Sequence, residues 1–254
     1  MIKAIIKNRF THWYNEKGEA RHTVKAQNGN EVKTTVVHAR KLGLLPSVTS
    51  IIALMHRQAL EDWKQEQLIK ACMKLDKTMC ETDDQYVNRV VDEAFTKSST
   101  AIDFGKETHY FLQDLLQGKM RAEYSIPEIT QIAIRNFVNR EIVSAVCEKP
   151  LVHPAHKYAG QRDCRSVGHD GKTTTWDFKT QSTRVGEKIK SYDEWIMQIA
   201  AYDAVEPSDC YKSLVISSTE PERVEIVEYD KDTIEAALKA FLGLREVFRF
   251  IKGV

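Results

Sequence analysis

Apolar and polar residues alternate on both sides of Gly168-His169-Asp170-Gly171, which predicts two strands joined by a tight turn over Tyr158 to Ser182. A period of two places Thr173, Thr175, Asp177 and Lys179 on one face of the second strand. Thr174, Trp176 and Phe178 take the other face, where they can be buried. Elsewhere the apolar period lengthens to that of helices. Ser47 is an expected N-cap, with Val48, Ile51, Ile52 and Met55 on one face; a charged helix over Gln58–Leu75 is anchored by Leu60, Trp63 and Leu68. A third helix covers Asp83–Phe95, and a fourth, starting near Ser99, aligns Ile102, Gly105, His109, Leu112 and Leu116.

Ser125-Ile-Pro-Glu128 reads as a capping box opening a helix that runs to about Val146, with Glu148 at its end and a short strand over Leu151–His153. After the hairpin, Ser191-Tyr-Asp-Glu194 reads as a second box, and its helix carries Trp195, Gln198, Ile199 and Tyr202. Strands over Tyr211–Ser218 and Arg223–Tyr229 and a final helix over Lys231–Ile251 complete the pattern. The first 45 residues predict only short strands, Asn8–Tyr14, Ala20–Ala26 and Glu31–His38, broken by Asn15–Gly18 and Asn28-Gly29-Asn30. The expected organisation is therefore an α/β protein in three parts. Residues 1–45 form a β-meander flap, 46–124 a helical region, and 125–254 a core with the order helix, three strands, helix, strand.

Hairpin register decides which polar residues meet. A three-residue loop with Gly171 in the left-handed conformation pairs Gly168 with Lys172 and sets Asp163 opposite Asp177. A two-residue Asp170-Gly171 turn would instead set Asp163 opposite Phe178, on the wrong face. The first register is preferred because it makes one site of Asp163, Asp177 and Lys179. Carboxylates whose β-carbons stand about 5 Å apart repel each other unless a cation or proton lies between them.

Composition narrows the partners. Lys and Arg number 37 against 36 Asp and Glu, so a polyanion must be held by a local patch rather than by overall charge. Five cysteines with no C-x-x-C spacing argue against a structural zinc or iron–sulfur centre and for a reducing compartment. With no long apolar run and no signal-peptide pattern, the expectation is a cytoplasmic protein without a membrane partner.

Four local patterns, in order, resemble the PD-(D/E)XK nuclease superfamily and its RecB-like exonucleases: Gly105-x-x-x-His109, Gly160-x-x-Asp163, Asp177-x-Lys179-Thr180 and Gln198-x-x-x-Tyr202. Pro46-Ser47-Val48-Thr49 followed by Trp63-Lys64 is similar to the mitochondrial genome maintenance exonuclease and related phage nucleases. The resemblance implies a restriction-endonuclease-like core and Mg²⁺ or Mn²⁺ held by His109, Asp163, Asp177 and the Phe178 carbonyl. It further implies a water-positioning Lys179, an acidic Glu148 before the first core strand, and Gln198 and Tyr202 lining the site. The preceding proline of the family's second motif and the cysteines of its iron–sulfur members are missing, so a cluster-free member is implied. Thr180, Ser182, Arg184 and Lys188, with Ser47 and Thr49, are candidate DNA contacts.

The function so implied is a metal-dependent deoxyribonuclease, an exonuclease acting on single-stranded ends in a bacterial or phage-infected cell. The rival readings are a double-strand-specific phage recombination exonuclease and a nucleic-acid-binding module of the same fold without the reaction.

Overall fold

The computed structural model describes residues 11–26, 29–55 and 57–254, with the side chains of Lys97 and Ser98 excepted. The described residues form two compact units, one of residues 55–104 and one of residues 11–54 together with 105–254. This division differs from the expected three parts: residues 46–54 and 105–124 group with the sheet.

The larger unit is a mixed α/β body around a five-stranded sheet of order β5-β6-β7-β8-β9. Its strands are β5 (Ser144–His153), β6 (Tyr158–Val167), β7 (Thr173–Gln181), β8 (Cys210–Ser217) and β9 (Val224–Tyr229). All neighbours are antiparallel except β7 and β8, which the crossover helix α6 (Asp193–Asp203) makes parallel. The even residues Trp176 and Phe178 meet Phe137 of α5 (Glu128–Glu141) and His109 of α4 (Asp83–Gln117). On the odd side, Lys179 meets Gln198 of α6. Both faces are thus covered, and Thr174 through Phe178 form a continuous buried run rather than the expected alternation.

The N-terminal region of this unit supplies two ribbons and two short helices. β1 (Trp13–Tyr14) pairs with β4 (Leu45–Pro46), and β2 (Thr23–Lys25) pairs with β3 (Glu31–Lys33), so the expected meander is two separate two-stranded ribbons. The strand expected over Glu31–His38 stops at Lys33, because Thr35 and His38 close a capping box that starts α1 (Val36–Leu42). Asn8 to Phe10 of the first expected strand, and Asn28 of the second turn, lie outside the described residues. α2 (Val48–Ile52) is capped by Ser47 as expected; it buries Val48, Ile51 and Ile52 and packs on β6, α6 and α7 (Lys231–Lys252), which ties this segment to the sheet.

In the smaller unit, α3 (Gln58–Lys74) meets the N-terminal half of α4 through Ala71, Val90 and Ala94, with Leu68, Leu75, Tyr86 and Phe95 around them. The two helices expected over Asp83–Phe95 and from Ser99 are one continuous helix, α4. Nothing in Thr96–Ser99 breaks a helix, and the Thr96 and Thr100 hydroxyls donate back to the Asp92 and Thr96 carbonyls.

Two more expectations are corrected. α5 ends at Glu141 rather than Val146, and β5 begins at Ser144, because the segment after Ile142 finds a strand partner in Val167 and the residues before it. Neither of the two expected capping boxes forms: α5 and α6 start at Pro127 and Tyr192 without a side-chain cap, and the Ser191 hydroxyl pairs with that of Tyr229. No helix among the described residues is long and apolar enough to cross a membrane.

Candidate metal centre

The β6–β7 hairpin adopts the three-residue-loop register. Gly168 N–H donates to the Lys172 carbonyl at 2.9 Å, and Gly171 has φ +77°. Pairing then continues to Cys164 opposite Trp176 and stops. Hydrogen-bonded pairs recur every second residue, so Phe178 is the next residue of β7 whose main chain points at β6. The strands fork there, and side chains replace the lost ladder. Phe178 N–H donates to Asp163 Oδ2 at 2.7 Å, and the Phe178 carbonyl receives His109 Nε2 at 2.9 Å. Backbone groups that a buried fork would strand are satisfied by the residues that the motifs single out.

Glu148 reaches the same fork from the other strand. The β5–β6 register is the same on either side of it, Cys147 with Cys164 and Lys149 with Arg162, so Glu148 stands across from Asp163. Its φ of +55° lies in the left-handed region, which only Lys157 shares among the described non-glycine residues. Its carbonyl accepts from Gln161 Nε2. Ligand atoms of His109, Glu148 and Asp163 lie within 4.8 Å of one another. Glu148 therefore stands within a strand, in a group that could hold a metal ion, and not at a helix end as the sequence suggested.

Asp177 occupies the buried side of the fork, 2% exposed. Its Oδ1 accepts from Lys179 Nζ at 2.6 Å, while its Oδ2 is buried with no hydrogen-bond partner. The Lys179 ammonium also donates to Gln198 Oε1 at 3.3 Å. Gly160 and Gly105 explain themselves by contact. A β-carbon on Gly160 would lie 2.7 Å from the Tyr202 hydroxyl, and one on Gly105 3.2 Å from Thr180 Oγ1. The glycine of the second motif therefore admits a tyrosine ring that a larger residue would push away, while that of the first lies close to the Thr180 side chain.

Electrostatics show the strain of gathering these acids. Burial, reinforced by Asp163, pushes the Glu148 carboxyl up to about 7. Burial also raises Asp177 to about 7; Lys179 opposes the rise and Asp163 adds to it. The Lys179 ammonium is pulled down by burial, but Asp177 and Asp163 outweigh this and hold it above its ordinary value. The Tyr202 phenol is raised by burial, then by Asp163, Tyr14 and Asp177. Tyr14, the neighbour of both Tyr202 and Glu148, carried no signal in the sequence, because the strand that delivers it is two residues long.

An acid with a raised pKa binds its proton more tightly folded than unfolded, so its contribution to stability falls as pH rises from the ordinary carboxylate range to about 7. Glu148→Gln removes that loss. The melting temperature of the variant minus that of the wild type, both metal-free, is expected to grow by several degrees between pH 5.5 and pH 8. The difference isolates Glu148 from His22 and His153, whose pKa values are lowered chiefly by burial and whose effect has the opposite sign near pH 6. A difference that stays flat with pH would show that Glu148 titrates normally.

The remaining candidate residues sit elsewhere. The Ser47 hydroxyl is committed to the cap of α2, and Thr49, two residues on, is exposed. Thr180 faces Gly105, while Ser182, Arg184 and Lys188 are exposed along the segment after β7. With Lys190 and Tyr192, the last three line a cleft of about 450 Å³. Arg223 holds its wall by donating to the Arg184 and Glu187 carbonyls.

Fold and site together define a mixed α/β protein with an imidazole, three carboxylates and a lysine gathered where two strands of its sheet part. No family model and no curated protein matches the chain. A solved structure described as the crystal structure of SSO0001 is similar at 15% identity with a TM-score of 0.34, over 74% of this chain and 87% of that one.

Proposed function

We propose that the chain is a Mg²⁺- or Mn²⁺-dependent deoxyribonuclease whose sheet and flanking helices are a PD-(D/E)XK-type core. One observation carries the reading. Asp177 keeps a buried oxygen without a partner beside a lysine, and Asp163, which bonds the next residue's N–H, forms a compact donor set with His109 and Glu148. Leaving a buried carboxylate oxygen unpaired is costly unless a cation or a proton completes it.

The donor set fits a hard divalent ion. Carboxylate and carbonyl oxygens with one imidazole suit Mg²⁺ or Mn²⁺. His109 Nε2 and the Phe178 carbonyl oxygen share a hydrogen bond at 2.9 Å, and on binding an ion each would turn a lone pair to it instead. His109, Glu148, Asp163, Asp177 and the Phe178 carbonyl are the residues that would hold it. Bound there, the ion would neutralise phosphate charge and acidify water.

The chain's own residues supply the rest. Asp177 and Gln198 aim the Lys179 ammonium, a donor for a phosphate oxygen or for the attacking water. Tyr202, packed on Gly160, walls the fork. Arg184, Lys188 and Lys190 offer cations to neighbouring phosphates of a strand. Preference for single-stranded ends follows from the resemblance of Pro46–Thr49.

The test is digestion of end-labelled single-stranded and duplex DNA. Wild type is expected to degrade single strands with Mg²⁺ or Mn²⁺ and to stop in EDTA. Lys179→Ala is expected to lose at least 100-fold in rate while still binding Mn²⁺. Digestion that survives EDTA, or a Lys179→Ala rate equal to wild type, would refute the reading.

A further inference from the structure

The β5–β6 pair that brings Glu148 to Asp163 also brings two thiols together, one residue away on each strand. Cys147 is the cross-strand partner of Cys164. Cys164 points its main chain at Trp176 of β7, as the Gly168–Lys172 bond and the two-residue repeat require. Towards β5 it therefore forms a non-hydrogen-bonded pair, the kind in which opposed side chains come closest, with α-carbons about 4.5 Å apart. That separation falls within the roughly 4.4–6.8 Å range over which disulfides close. The neighbouring Cys147 thiol, followed by burial, raises the Cys164 thiol well above its ordinary value. Cys164 is fully buried and Cys147 partly exposed, so one sulfur is reachable by a small reagent and the other only by its neighbour.

We propose that Cys147 and Cys164 are a reversible thiol–disulfide pair that controls the spacing of Glu148 and Asp163. The Cys147 sulfur attacks a small-molecule disulfide such as glutathione disulfide; the S–S bond of the reagent breaks and one thiol leaves. Cys164 then attacks the Cys147 sulfur of the mixed disulfide and expels the second thiol. Two electrons and two protons pass from the cysteine pair to the two released thiols.

The consequence arises from adjacency. Disulfide β-carbons stand about 3.8 Å apart, against about 4.5–5.5 Å for open cross-strand pairs, so closure draws the strands together next to both carboxylates. Glu148 absorbs the shift first, since it follows Cys147 directly and already sits at φ +55°. Mg²⁺ and Mn²⁺ need near-octahedral geometry, and a displaced ligand weakens them. This second half rests on the metal-centre reading; disulfide closure does not.

The experiment separates the two. The full chain is equilibrated in excess glutathione disulfide, trapped with alkylating agent, and mapped by mass spectrometry of proteolytic peptides. A Cys147–Cys164 linked peptide that disappears on reduction is expected in wild type. It is absent in Cys147→Ser, which changes a partly exposed residue. The exposed Cys72 and Cys80 report that the oxidant acted. Glutathione on Cys72 and Cys80 with no 147–164 link would overturn the proposal. Mn²⁺ titration by calorimetry then compares oxidised and reduced protein, and at least fivefold weaker binding is expected on oxidation. Equal affinity would overturn the control of spacing; no binding by either form would refute the metal reading while the peptide map still decides the thiol pair.

Discussion

Asp177→Asn is expected to abolish Mn²⁺-dependent DNA hydrolysis, by 10³-fold or more, and at the same time to raise the melting temperature of the metal-free protein. The two effects have one cause. Asp177 is 2% exposed, its Oδ2 has no partner, and its carboxyl is pushed up to about 7 by burial and by Asp163, with Lys179 opposing. At pH 8 the folded protein therefore bears a carboxylate charge that the fold disfavours. Asparagine keeps the shape and removes the charge. Its carbonyl still accepts from Lys179, and its amide is less costly to bury than a carboxylate. On the proposed reading the metal would lose a ligand and Lys179 its anionic partner, so the reaction would fail although the protein gains stability. Rates with Mn²⁺ and thermal melts without it, both at pH 8, check the pair. A variant that is inactive and also less stable would make Asp177 a structural residue; one that stays active would remove it from the site.

The turn Gly168–Gly171 and its alternating flanks were enough to set the register, because only one turn made a single site of Asp163, Asp177 and Lys179. The structure adopts that register. The bounds of α3, the strands β8 and β9 and the last helix were legible for the same reason: their apolar periods are regular. The sequence did not show how the fork is held. Asp163 does not simply face Asp177; it takes the Phe178 N–H that the separating strand gives up. Nor could the sequence place Glu148 within a strand, because a glutamate at positive φ in mid-strand follows no propensity. Tertiary pairing turned Ser144–Val146 from the expected helix end into an edge strand. Cys147 and Cys164 looked scattered because cross-strand partners are related by register and not by spacing.

The glycines of the motifs test how closely the site is packed, and they are expected to behave differently. Gly160→Ala puts a β-carbon 2.7 Å from the Tyr202 hydroxyl and 2.9 Å from its Cε1. Tyr202 is 4% exposed in the buried last turns of α6, so the ring has little room to retreat. Overpacking of this kind costs about 1–3 kcal/mol. It also moves Tyr202 and the turn of α6 that carries Gln198, so activity is expected to fall at least tenfold. Gly105→Ala meets only the end of the Thr180 side chain, at 3.2 Å, which can rotate. There the gain in helix propensity, about 1 kcal/mol, is expected to leave stability unchanged or higher. A second substitution decides the cause at Gly160. Tyr202→Leu in the Gly160→Ala background removes the ring atoms that clash and is expected to recover most of the lost stability without restoring activity. Urea melts of the two single variants and the double variant measure the coupling. Purely additive losses would show that the clash is not with Tyr202, and the glycine would then have to be explained by its strand backbone alone.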